Sequence, residues 1–174
     1  MILGVDLGQV QDYTAFAVVE AGDTLQLRHI ERLPLGTPYT AVVGRIEGLQ
    51  ESISPCQVVL DSTGVGRPVL DSLRAIGLNP IAVSITAGQK VRIEDGFYYI
   101  PKRLLVRALV TALEGDRLKF AKSMPMAGAL MRELAEFKVK ISDRGHDSYN
   151  AAQGHDDLVI AVGLAVWWAN YRKI

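Results

Sequence analysis

The stretch GHDDLVIAVGLAVWWA, Gly154 to Ala169, sets two adjacent aspartates directly in front of the most apolar segment of the chain. Burying one unpaired carboxylate costs several kcal/mol or is avoided by protonation, and two side by side are worse. A helix N-terminus, solvent or a bound cation can each compensate such a pair. The apolar run, Leu158 to Ala169, has the length of a buried core helix and falls short of the roughly 18 residues that a membrane span requires. A helix that is apolar all round is buried, and this one can lay its apolar surface on a sheet.

Working outward, MILGVDL reads as a buried strand, and YTAFAVVEA (13–21) and TLQLRHIERL (24–33) as two more, joined by a turn at Gly22 and Asp23. YTAVVGRIEGLQESI (39–53) has helical spacing, with Pro38 just before it. CQVVLD is a buried strand ending at Asp61, followed by the glycine-rich STGVGRP and an amphipathic helix, VLDSLRAIG, that stops at Gly77. NPIAVSIT is a further strand, and AGQKVRIEDGFYY (87–99) has the alternation of a solvent-facing inserted hairpin. PKRLLVRALVTALEGD is a helix opened by Pro101 and closed by Gly115. RLKFA reads as a short strand, MAGALMRELAEF as a helix, and FKVKISDRGHDSYNAA as a second hairpin around 143–145. This order predicts a single α/β domain over residues 1–174, a central mixed sheet flanked by helices.

Composition narrows the function classes. Hydrophobic residues make up 49% and charged residues 22%, with 19 basic and 19 acidic side chains and a net charge of zero. A protein that holds nucleic acid unaided is usually basic, so DNA contact here is expected to be weak or assisted. The start of the chain lacks the basic region and cleavage site of a signal peptide, which predicts a cytoplasmic protein without a membrane partner. Cys56, the single cysteine, excludes a disulfide framework and is read as core.

Asp6 and Asp61 sit at the carboxyl ends of the first and fourth strands, where ligand chemistry collects in open α/β sheets. If those strands are neighbours the two aspartates meet, and the last helix brings Asp156 and Asp157 to the same edge. Each has a plain structural role available. Asp6 can make a turn, Asp61 can accept N–H groups of the glycine loop, and Asp156 and Asp157 can cap a helix and meet its dipole, together worth about 1–2 kcal/mol. Gathered on one edge without a nearby Lys or His cluster, they point instead to divalent metal, with oxygen-only ligands favouring Mg²⁺ or Mn²⁺. Two ions about 4 Å apart suit phosphodiester hydrolysis, one activating water and the other stabilising the leaving oxygen.

The ordered set GVDLGQVQDYTA, VVLDSTGVGRPVLDSL, GFYYIPKRLLVRALVTALEGDRLKF and GHDDLVIAVGLA resembles the nuclease domain of the large terminase subunit of tailed bacteriophages, over Ile2 to Trp168. The resemblance implies an RNase H-like fold and an endonuclease that cuts concatemeric viral DNA during packaging, in the cytoplasm of the infected bacterial host. It implies Asp6, Asp61 and the Asp156–Asp157 pair as catalytic, metal-binding residues for two Mg²⁺ or Mn²⁺ ions, with double-stranded DNA, a packaging ATPase domain, a small terminase subunit and a portal as partners. Asp12 also falls in the pattern and is read as a loop organiser; His146 and His155 are read as exposed turn residues. The chain contains no Walker A loop, GxxxxGK[ST], so the packaging ATPase is expected to lie outside it, whether it is an excised domain or a free-standing relative.

DNA contacts are expected from Lys90 and Arg92, with Lys102, Arg103 and Arg107 around the first hairpin, and from Lys138, Lys140 and Arg144 on the second. Three rival readings remain. An ATP-binding domain of the actin and sugar-kinase type needs two lobes and leaves the HDD helix unexplained. A junction resolvase shares the metal chemistry and differs in substrate, and a non-catalytic docking module of a packaging complex would keep the carboxylates without cleavage.

Overall fold

The structure is a computed structural model that describes residues 1–8, 12–64, 66–143 and 155–172. In chain order it contains β1 (Ile2–Asp6), β2 (Ala15–Glu20), β3 (Leu25–Arg32), α1 (Tyr39–Ser52), β4 (Gln57–Asp61), α2 (Gly66–Ala75) and β5 (Ile81–Thr86). Then follow β6 (Arg92–Glu94), β7 (Phe97–Pro101), α3 (Lys102–Glu114), β8 (Leu118–Lys119), α4 (Ala127–Asp143) and α5 (Asp157–Tyr171). Among the described residues the strands form one mixed sheet in the order β6-β7-β5-β4-β1-β2-β3-β8.

The first three strands are the expected antiparallel meander, and β1 pairs β4 in parallel as the carboxylate argument requires. The pleat then sorts side chains by parity. Leu3, Val5, Val58 and Leu60 point to the face covered by α1 and α2. Ile2, Val59, Val83 and Ile100 point to the face covered by α3, α4 and α5. α5 is buried along nearly its whole length, from Asp157 to Ala169, which explains why its sequence shows no polar stripe.

α5 approaches β1 so closely that a Cβ on Gly4 would lie 2.1 Å from the Ala161 carbonyl oxygen. Any larger residue there would push the helix off the sheet. From that crossing, Asp6 is two residues along the strand, roughly 6.6 Å, and Asp157 is one helical turn back, roughly 6 Å. The two therefore reach the same edge.

Two sequence expectations change. The first hairpin is real, with Asp95 and Gly96 at φ 50° and 78° in the turn, as a two-residue Asp-Gly connection demands. Yet only β6 is wholly solvent-facing, because β7 pairs with β5 and belongs to the main sheet. The second hairpin is not formed at its start, since α4 runs through to Asp143. Leu130, Leu134, Phe137 and Ile141 also fit helical spacing, no Gly or Pro interrupts them, and an established helix adds residues more cheaply than a new strand pairs. Lys138 and Lys140 therefore lie on a helix, whereas Arg144 and His146 lie outside the described residues. No helix among the described residues is long and apolar enough to cross a membrane.

Candidate active site

The register sets Val5 beside Leu60, so Asp6 and Asp61 leave the sheet side by side at its carboxyl edge. Parity turns both toward α5, Asp6 in phase with Gly4 and Asp61 with Val59. Burial drives the Asp6 carboxyl well above its ordinary range, and the nearby charges of Asp61, Asp156 and Asp157 push it the same way. The charges of three aspartates, reaching from β4 and the start of α5, thus act on Asp6 of β1.

Each of the other three is engaged by a protein partner. Asp61 Oδ1 accepts from the Thr63 backbone N–H at 2.8 Å and from its hydroxyl at 2.5 Å, so it accepts from the loop that follows it, as its plain structural role required. Burial still raises its pKa, against those bonds and the Lys102 charge. Asp156 occupies the N-cap position of α5 but makes no capping bond with its side chain. It accepts instead from Lys102 Nζ at 2.6 Å. Asp157, only 5% exposed, accepts from Arg32 Nε.

The expectation of a site without nearby cations is therefore corrected. Lys102 enters from the first residue of α3 and Arg32 from the last of β3. The Arg32 guanidinium bridges Asp157 and Glu133 and lies 5.1 Å from the Tyr13 ring centroid. Glu133, 7% exposed, comes from α4 and caps α5 in place of Asp156, its Oε2 accepting from the N–H groups of Leu158 at 3.1 Å and Val159 at 3.3 Å. Burial pushes the Glu133 carboxyl up to about 7, with Arg32 pulling it down and Asp157 raising it. Burial likewise raises Asp157, opposed by its bond to Arg32.

Sequence reasoning missed Glu133, and it missed Arg32 and Lys102 as members of the site. Glu133 falls beside Leu130 and Leu134 on the buried stripe of α4, where an acid needs a partner. Arg32 is two residues beyond the buried Ile30 and shares its phase. Asp12 is exposed in the loop after Gly8. His155 is exposed too, but its Nδ1 comes within 3.9 Å of Asp157 Oδ1 and its ring packs edge-on to Tyr13.

Among the described residues, no group of three or more His, Cys, Asp or Glu side chains stands close enough together to hold a metal ion as placed. The chemistry of the donor set nevertheless fits a divalent cation. Five carboxylates, Asp6, Asp61, Glu133, Asp156 and Asp157, outnumber two protein cations, Lys102 and Arg32, and the charges of Asp61, Asp156 and Asp157 add to burial in raising Asp6.

A curated relative, the large terminase subunit of Thermus phage G20c, is 27% identical over 164 residues, covering 94% of this chain. The crystal structure of the large terminase nuclease from that phage with bound zinc superposes with a TM-score of 0.64 at 24% identity, covering 94% of this chain and 78% of the other. The chain has the RNase H-like fold of the large terminase nucleases. The manganese-soaked human cytomegalovirus terminase nuclease domain shares that fold at a TM-score of 0.56 and 16% identity, over 98% of this chain and 81% of the other. No protein-family model matches the chain. It spans about 30% of the length of the curated terminase relatives it matches.

Proposed function

We propose that this chain is a divalent-metal-dependent DNA endonuclease, a terminase nuclease domain that cuts concatemeric viral DNA during genome packaging. The observation that carries the reading is the convergence of Asp6, Asp61, Asp156 and Asp157 from β1, β4 and α5 on one sheet edge, with Asp6 under the charge of the other three. These four carboxylates would hold Mg²⁺ or Mn²⁺, two ions in all. Divalent cations held there would supply Lewis acidity toward a phosphodiester oxygen and lower the pKa of water toward neutrality.

The chain's own groups do the remaining work. Arg32 and Glu133 fix the first turn of α5, which sets where Asp156 and Asp157 stand. The apolar body of α5 seals the inner side of the site from water. Lys90 and Arg92 near the first hairpin, and Lys138 and Lys140 on α4, would meet DNA phosphates without reading sequence. With a neutral chain, firm hold on double-stranded DNA falls to partners, namely a packaging ATPase domain, a small terminase subunit and a portal, in the cytoplasm of an infected bacterium. Residues 1–174 would then act as a single nuclease domain.

The test is incubation of the purified chain with supercoiled plasmid in Mn²⁺, Mg²⁺ or EDTA, with Asp61→Asn in parallel. Asparagine keeps an oxygen for Thr63 while losing the charge, so the fold should persist. Metal-dependent nicking that disappears in the variant is expected. Faster cutting of a four-way junction than of plasmid would favour a resolvase, and intact DNA with no metal bound under any condition would leave a docking module.

A further inference from the structure

The carboxylate edge already holds a cation. Lys102 Nζ lies 2.6 Å from Asp156 Oδ2, and its charge also acts on Asp6 and Asp61, so one ammonium serves carboxylates from β1, β4 and α5. Its backbone is fixed, because Pro101 ends β7 and α3 starts at Lys102 itself, with Ile100 and Leu105 fully buried on either side. Its head is a compact charge on a flexible four-carbon stem, and the side chain is still 21% exposed. Arg32 differs: its planar fork is locked onto two buried carboxylates at once.

We propose that Lys102 is the resident counter-ion of this site, and that a divalent cation binds only by displacing its ammonium from Asp156. The proposal rests on the metal reading above. An ammonium and a metal ion repel at such range and compete for the same oxygen. Lys102 thus keeps the metal-free fold from carrying clustered negative charge, and it lowers the affinity for metal by the work of its own displacement.

The experiment is calorimetric titration of Mn²⁺ into the whole chain, without DNA, for the wild type, Lys102→Met and Lys102→Arg. Loss of the charge in Lys102→Met should tighten Mn²⁺ binding by about tenfold or more, whereas Lys102→Arg should stay near the wild type. Thermal unfolding in EDTA verifies that each variant is folded, and Lys102→Gln replaces the methionine variant if that one is not. Equal or weaker binding by the neutral variant, or equal tightening by arginine, overturns the displacement. Absence of Mn²⁺ binding in both the wild type and the neutral variant overturns the metal reading itself.

Discussion

Replacing Arg32 by methionine removes the guanidinium fork that joins Glu133 to Asp157 and leaves both carboxyls, each with a side chain 7% exposed, facing one another. Deleting one partner of a buried ion pair typically costs about 3–5 kcal/mol, because the charge left behind has lost both water and its counter-ion. Protonation limits that cost. Even with Arg32 present, Glu133 titrates near 7, against an ordinary 4.5. A carboxyl raised in the folded state binds a proton that the unfolded chain has released, so its stabilising share is complete below about 4.5 and is lost as pH rises through about 7. At 1.36 kcal/mol per unit, that swing is about 3 kcal/mol for Glu133 in the wild type. Without Arg32 the folded pKa moves higher still and the swing widens. Urea unfolding in EDTA should therefore show Arg32→Met destabilised by about 3–5 kcal/mol at pH 8 and clearly less at pH 5, with Glu133→Gln in the same chain restoring part of the loss at pH 8. A deficit below 1 kcal/mol, or one equal at both pH values, would refute the reasoning.

Gly4→Ala should cost at least about 1–3 kcal/mol and reduce DNA cleavage, since the new methyl would sit 2.1 Å from the Ala161 carbonyl and shift α5 one turn from Asp157. Melting and plasmid assays on the same sample check both effects, and an unchanged melting temperature would contradict the close approach. Gly44→Ala, inside α1 where an added methyl meets nothing within 4 Å, should instead stabilise by about 0.5–1 kcal/mol in chemical denaturation and leave cleavage unchanged. Mn²⁺ should raise the melting temperature more at pH 8 than at pH 5, because protons compete for the raised carboxyls of Asp6 and Asp61. A larger rise at pH 5 would argue against carboxylate ligation.

What was legible in the sequence were the features written locally. Pro101 and Gly115 bracket α3 to the residue, Asp95 and Gly96 mark their turn, and pleat parity alone turns Asp6 and Asp61 to one face once β1 and β4 are adjacent. What escaped were pairings across long separations. Arg32 meets Glu133 and Asp157 across 101 and 125 residues, and nothing near Arg32 in the chain announces either. The sequence groups Lys102 with Arg103 and Arg107 as expected DNA contacts around the first hairpin, yet its place at the head of α3 carries it to the carboxylates. The continuation of α4 escaped for a different reason: Phe137, Val139 and Ile141 alternate like a strand, Leu134, Phe137 and Ile141 fit a helix, and the helix already under way decides between them.

The place of α5 has a consequence for synthesis. β1 lies near the middle of the sheet and is made before α5, the helix that covers it and brings up Asp156 and Asp157. Until α5 has left the ribosome, Gly4 has no helix against it and Asp6 lacks Asp156 and Asp157 as companions. A nascent or prematurely terminated polypeptide would therefore display an uncovered apolar sheet and be cleared as misfolded.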